Sequence, residues 1–473
     1  MGWPYPVGYD TVTFYLTHML QNGSPSLQVI VQGQYLVYFL LYWSNEAFHN
    51  PLLILDIFAL ILQAALSFAV FLYIRRVMMI SERASFLATL SFTFSLITLR
   101  LGWDQYRMSF ALVFAILALV ALASSKNEIR LLAIPSSLVV FFSNIEPSLF
   151  LIFTVGIEFA LVEAIKRRKP ISQAIPEVFV VLLGIPILLY QLPASQYYLG
   201  PSGQVVHFVS LSSGVIESLR GITYLAYTSW PILIFAAFFF LRFRRINSPH
   251  FKNYHLVWLG LVIAAAVIVP IFGINLGNLA DPSIWVYWMI GFPLTIIFAQ
   301  VLSSLSKAPM KILAGGLIIV MIALSVSYAT SSPLAPTQYS SLAQTFDSSI
   351  PAGYLQSTVP ISQQGELIKL LNQSLYTLPN NSKLYLPQEF YAFALLNPNP
   401  RNVNVTNLGQ LAVLGVQGLD QINSTCNSYT LWWINGTGWY GISSLPSNFQ
   451  AVKTQGDFSL YQLVPSGVGS HCQ

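Results

Sequence analysis

Charge is what this sequence has least of. Asp, Glu, Lys and Arg make up 8% of it, against roughly 25% in soluble domains, which excludes an ordinary soluble protein. Disorder is excluded too, because 55% hydrophobic and 14% aromatic residues are the reverse of a disordered composition. Cysteine is nearly missing. Cys426 and Cys472 are too few for a disulfide framework or a cysteine-rich metal site. The six histidines, His18, His49, His207, His250, His255 and His471, show no H-E-x-x-H or other ligand spacing, so a zinc protease is a poor reading. No P-loop or dinucleotide motif is present, which argues against an ATP-driven transporter. No fixed-period repeat is found either.

What is present is apolar runs. A span needs roughly 20 predominantly apolar residues, and such runs begin at Pro51. The sequence predicts a polytopic α-helical membrane protein of about ten spans, near 51–74, 84–100, 108–124, 131–143, 148–165, 177–193, 221–241, 256–274, 285–303 and 311–329. The stretch Val29–Trp43 is about 15 residues long and interrupted by Gln32, Gly33 and Gln34. It suits an interfacial segment better than a span.

The net charge of +5 becomes informative once placed on this topology, because Lys and Arg collect in cytoplasmic loops. Alternate loops hold Arg75, Arg76 and Arg83; Lys126 and Arg130; Lys166, Arg167, Arg168 and Lys169; Arg242, Arg244, Arg245 and Lys252; Lys307 and Lys311. The opposite loops hold only Arg100, Arg107 and Arg220. The basic runs are therefore orientation signals or lipid-headgroup contacts, and no nucleic-acid partner is expected.

Beyond about residue 330 the chain turns polar. It carries five N-x-Ser/Thr sequons, at Asn372, Asn380, Asn404, Asn423 and Asn435, together with both cysteines. Glycosylation sequons belong on extracytoplasmic surface, and a Cys426–Cys472 disulfide suits an oxidising exterior. The expected organisation is an external segment with juxtamembrane helices at 1–50, a transmembrane bundle at 51–329 and an extracytoplasmic, glycosylated domain at 330–473. The last is mixed α/β or β-rich, with strands at Lys383–Pro387, Tyr429–Ile434 and Phe458–Val464 and helices at Gln364–Leu371 and Gln388–Leu396. The expected location is the plasma membrane. An even span count puts residue 1 outside as well. A chain starting outside without a signal anchor is awkward to insert, so a further upstream span is expected; residues 1–28 lack the regions of a signal peptide.

The external loops hold the candidate chemistry. Gly8-Tyr9-Asp10-Thr11 follows the Pro4/Pro6 turn and opens an amphipathic stretch to Leu20. Trp103-Asp104-Gln105-Tyr106-Arg107 fills a tight loop between two spans, and Ser143-Asn144-Ile145-Glu146-Pro147 fills another. Glu217, Arg220 and Asp281 complete the set. Plainer readings stand beside each. Asp10 suits a helix N-cap. Asp104 and Arg107, or Glu217 and Arg220, have the spacing of helix-surface pairs. Glu146 beside Pro147 reads as a solvated first-turn residue. Asp56 and Gln63 are polar residues within a span, Asp56 near its external end, where a carboxylate is costly. Glu158 and Glu163 lie close enough to Lys166–Lys169 to pair there.

In these motifs the chain resembles the membrane glycosyltransferases of the GT-C class. These include protein O-mannosyltransferases, aminoarabinose transferases and the catalytic subunit of oligosaccharyltransferase. The resemblance rests on Pro6-Val7-Gly8-Tyr9-Asp10 before a juxtamembrane helix, on Asp104-x-x-Arg107 in the next external loop, and on many short-looped spans with an external C-terminal domain. It covers roughly residues 5–329, and in the class a span precedes the aspartate loop.

The resemblance implies a transferase using a sugar on a polyprenyl phosphate, archaeal in type, with a protein or lipid-glycan acceptor and membrane lipid as partners. Asp10 is then the general base, Arg107 and Arg220 the phosphate contacts, and Asp104 a residue orienting substrate. Asp10 and Asp104 are also the two positions that could hold a divalent metal, Mg²⁺ or Mn²⁺. Two departures matter. The cation that many relatives carry near a late span is missing from Asp281-Pro282-Ser283-Ile284-Trp285-Val286-Tyr287-Trp288, and the second acidic pair that the oligosaccharyltransferase subunit uses for metal is missing, since Asp104 stands alone before Gln105. Both favour a monosaccharide-type transferase. The competing classes are a non-catalytic surface protein anchored by its bundle, and a lipid or glycan transporter.

Overall fold

A computed structural model covers residues 1–473. The residues it describes are 11–21, 23–95, 98, 101–102, 105–166, 171–191, 207–208, 210–242, 253–275, 288–305, 308–329, 361–408, 427–434 and 448–464. The chain forms two compact units. One comprises Met1–Gly23, Leu41–Asp56 and Pro333–Gln473; the other comprises Ser24–Leu40 and Ile57–Ser332.

A helix lies on each of the ten apolar segments: Pro51–Arg76, Glu82–Thr93, Tyr106–Leu122, Ala133–Phe141, Ile145–Lys166, Ile171–Gln191, Leu211–Arg242, Tyr254–Ile263, Gly291–Ser304 and Ala308–Ala329. The eighth continues through a π-helical turn, Ala264–Ile268, to Ile271. Among the described residues, three stretches are long and apolar enough to cross a membrane: Pro51–Arg76, Ala174–Gln191 and Tyr254–Ile271. Ten helices are therefore present, while ten crossings stay an expectation. The stretch read as the second span is a 12-residue helix ending at Thr93, and the fourth is a nine-residue helix.

Packing in the larger unit follows from residue size. Tyr106–Leu122 presents Ala111, Ala115, Ala118 and Ala121, all buried, so neighbouring backbones approach closely, as is usual between helices in lipid. Its partners are Ala133–Phe141 and Ile145–Lys166. Trp258 fills the centre between Phe150 and Phe292, with ring centroids 5.5 and 5.6 Å away. Its indole N–H donates to the Met289 carbonyl at 3.2 Å, which satisfies the one polar atom such a buried ring carries.

The interrupted stretch before Pro51 is a broken helix. Ser26 caps its first half, Leu27–Gly33, through a 3.3 Å bond from the Val29 N–H. Gln34 then takes the left-handed conformation (φ 59°, ψ 44°) and ends it. A Cβ on Gly33 would stand 2.4 Å from the Tyr35 ring, so any larger residue at the break would have to displace that ring. Leu36–Phe48 is the second half.

In the other unit, strands run in the order Asn404–Asn407, Lys383–Leu386, Ser428–Trp433, Phe458–Leu463, Phe449–Gln455. The first three are mutually parallel, and the last two pairings are antiparallel. Helix Ile361–Thr377 buries Leu367, Leu370, Leu371 and Leu375, one face at the helical period. Phe390, Trp432, Trp433 and Phe458 form an aromatic core. The unit is mixed α/β, and its three anticipated strands and two helices all occur. The π-helical turn Thr11–Leu16 packs against helix Gln388–Ala394 within this unit. Asn372, Asn380 and Asn404 are solvent-exposed there; Asn423, Asn435, Cys426 and Cys472 lie outside the described residues.

Candidate functional site

Of the anticipated site residues, Asp10 and Asp104 lie outside the described residues. Arg220 sits on helix Leu211–Arg242, with its side chain outside the description. Arg107 is the one that can be built in full, and it is the centre of a polar network.

Arg107 occupies the first turn of helix Tyr106–Leu122. Its Nε donates to the Ser143 carbonyl at 3.1 Å, and one Nη donates to the Gly33 carbonyl at 3.4 Å and to Gln34 Oε1 at 3.3 Å. The guanidinium carbon lies 5.5 Å from the centre of the Tyr38 ring, within cation–π range. The plane of the cation is thus fixed from several sides.

The bonds continue in one direction. Gln34 Nε2 donates to Gln191 Oε1 at 3.0 Å, and Gln191 Nε2 donates to the Val31 and Phe141 carbonyls at 2.8 Å each. Both glutamines are buried. The broken helix makes this possible, because its interruption exposes carbonyls at Val31 and Gly33 that a continuous helix would use internally. One arginine and two glutamines therefore tie the half-helix to the ends of three other helices.

Beside this network stands Glu146. The structure corrects its solvated reading: Glu146 is only 7% exposed and lies within electrostatic reach of Arg107. Asn144 Oδ1 accepts from the Glu146 N–H at 3.0 Å, and Ser148 Oγ donates to the Asn144 carbonyl at 2.6 Å. These bonds hold the start of helix Ile145–Lys166 in place. Its Oε2 has no hydrogen-bond partner.

Other polar positions resolve differently from expectation. Glu158 is buried and accepts from the Asn253 backbone N–H at 3.1 Å; the side chains of the Lys166–Lys169 run expected to pair with it lie outside the described residues. Arg130, counted above as a loop cation, is buried against Glu177, its Nη2 lying 2.7 and 2.6 Å from the two carboxylate oxygens. Gln63 donates to the Thr93 carbonyl at 2.8 Å, where helix Glu82–Thr93 ends and leaves carbonyls unpaired. That gives the mid-span glutamine a structural job and weakens the transporter reading. Asp56 is partly exposed, and its Oδ2 has no partner. Among the described residues no three His, Cys, Asp or Glu converge to hold a metal ion. The divalent-ion expectation thus rests on Asp10 and Asp104, outside the description.

Gln34, Gln191 and the buried state of Glu146 escaped sequence reasoning. The available signal was a glutamine closing an otherwise apolar helix at residue 191, facing a second glutamine at an interruption.

No protein-family model and no curated protein matches the chain. Solved structures do. ArnT from Cupriavidus metallidurans, crystallised bound to undecaprenyl phosphate, aligns with a TM-score of 0.52 at 11% identity, over 97% of this chain and 94% of that one. The apo state of the same protein aligns with a TM-score of 0.49 at 13% identity over the same shares. At such identity the likeness speaks to architecture alone: this chain shares the fold of the undecaprenyl-phosphate-bound structure, a bundle of apolar helices with a small C-terminal sheet.

Proposed function

We propose that this chain is a membrane glycosyltransferase that moves a sugar from a polyprenyl-phosphate donor to an extracytoplasmic acceptor with inversion. The observation that carries the reading is the likeness of almost the whole chain to ArnT in its undecaprenyl-phosphate-bound form. In this reading an acceptor hydroxyl oxygen attacks the anomeric carbon. The bond from that carbon to the phosphate oxygen breaks, its electron pair leaves with the phosphate, and the acceptor proton passes to Asp10 as general base. Charge grows on the leaving phosphate, and the fixed guanidinium of Arg107 meets it without reorganising, which is where a preorganised cation is most effective. Arg220 is a second phosphate contact and Asp104 orients the substrate. No step is routed through a metal.

One observation favours the surface-anchor alternative: Arg107 already donates to three acceptors of its own chain, as a purely structural arginine would. Transfer of labelled sugar from a polyprenyl-phosphate donor, with a membrane fraction as acceptor source, separates the readings. The expected result is transfer by the purified protein and a loss of at least about a hundredfold in Asp10→Asn, with folding and donor binding intact. Equal turnover in both removes Asp10 as base while keeping the enzyme. No turnover from any donor in a folded protein refutes the transferase.

A further inference from the structure

A buried carboxylate oxygen without a donor is rare in native proteins and calls for a cause. Glu146 Oε2 is such an atom, on a side chain more than nine-tenths buried, at a helix start fixed by the bonds from the Glu146 N–H to Asn144 Oδ1 and from Ser148 Oγ to the Asn144 carbonyl. Three classes of missing partner can be compared by charge. A phosphate is repelled by a carboxylate. A metal ion needs further acidic or imidazole ligands, and no such group of three exists among the described residues. A cationic amine is not required, because Arg107 already acts on Glu146 with the opposite sign. The remaining class is a neutral O–H donor, either a water or a ligand hydroxyl, and among biological ligands a sugar is the one that presents several.

Position narrows the source. In the transferase reading, on which this inference rests, Arg107 meets the donor phosphate. The group covalently joined to that phosphate is the sugar to be transferred, so the sugar is what lies next to an arginine that holds the phosphate. We propose that Glu146 is a specificity-determining residue that accepts a hydrogen bond from a hydroxyl of the donor sugar, completing a subsite with Arg107 and the Asn144 turn. A site built around a buried acceptor discriminates against ligands lacking the matching hydroxyl, because the acceptor is then left unpaired.

The test is direct binding, without acceptor, to full-length protein in detergent. The probes are undecaprenyl phosphate and polyprenyl phosphates carrying mannose, glucose or N-acetylglucosamine, measured with wild type and Glu146→Gln. The substitution keeps shape and removes the charged acceptor. Undecaprenyl phosphate should bind equally to both proteins, while the best-bound sugar lipid should bind at least about tenfold more weakly to the variant. A thermal melt of the variant within about 2 °C of wild type separates this from misfolding.

Equal weakening of both lipids would assign Glu146 to the phosphate or the fold and overturn the proposal. Unchanged affinity for every sugar lipid overturns it too. If wild type binds undecaprenyl phosphate but no sugar lipid, the subsite fails while lipid-phosphate recognition stands. If it binds neither, the transferase reading falls with it.

Discussion

Removing the charge of Arg130 alone should destabilise the bundle more than removing the whole ion pair. Arg130 and Glu177 are each 7% exposed, so neither charge has much water to fall back on. One nitrogen, Nη2, lies 2.7 and 2.6 Å from both carboxylate oxygens, and Arg130 Nε has no partner. Arg130→Met leaves a buried carboxylate without its cation, a change that costs about 3–5 kcal/mol. Glu177→Leu strands the guanidinium and should cost about as much. The double variant removes both desolvated charges and should match wild type or exceed it by about 1–4 kcal/mol. Because a single nitrogen serves both oxygens, the two-pronged geometry peculiar to arginine is unused. Arg130→Lys should therefore be mild, within about 1.5 kcal/mol, since it also removes the orphan Nε, worth about 1–3 kcal/mol when buried. The assay is reversible unfolding of purified protein in mixed micelles by added SDS, followed by tryptophan fluorescence. A cost below 1 kcal/mol for Arg130→Met, or a double variant as unstable as the sum of the singles, would refute the reasoning.

Two further predictions follow from unpaired and over-paired atoms. Gln191→Met keeps the volume but strands the Val31 and Phe141 carbonyls and Gln34 Nε2; at about 1–3 kcal/mol for each buried orphan, the same unfolding assay should read a loss of at least about 3 kcal/mol, and a loss under 1 would show the network to be dispensable. His255 is 1% exposed with neither ring nitrogen paired, its ring edge-on to Tyr73 at 6.2 Å; His255→Phe preserves the ring contact and removes two orphaned atoms, so stability should hold or rise by about 1–3 kcal/mol, whereas a drop would reveal an interaction that the ring nitrogens make.

How much of this was legible beforehand depended on whether the signal was local. Apolar runs are local, and each of the ten coincides with a helix. The strand Ser428–Trp433 was legible because Tyr429, Leu431, Trp432 and Trp433 are bulky and apolar, and all are buried. Strands Asn404–Asn407 and Phe449–Gln455 were missed because they hold the two edges of the sheet, where side chains face water and hydrophobic patterning fades. The second of them carried a turn signal at Gly456–Asp457, where Gly456 has φ 56°. At the candidate site the motif Asp104-x-x-Arg107 drew attention to Arg107, which the structure places in a polar network. Its partners could not be read, since Gln34 and Gln191 are 157 residues apart and meet only when the bundle closes. Glu146 was misjudged because a Glu-Pro step is normally a surface feature, and only the packing of Ile145–Lys166 buries it.

The smaller unit draws on Met1–Gly23, Leu41–Asp56 and Pro333–Gln473. A compact body is not assembled through a bilayer, so in the transferase reading these three pieces of chain are expected to meet on one side of the membrane, Pro51–Asp56 being the end of a span. Neither Leu27–Gly33 nor Leu36–Phe48, at about 10 and 20 Å long, is able to carry the chain across roughly 30 Å of hydrocarbon. On that expectation the number of crossings between Ile57 and Ser332 is even, which glycosylation and tag accessibility can check. A glycan at Asn372 and a cytosolic tag on residue 2 are then mutually exclusive.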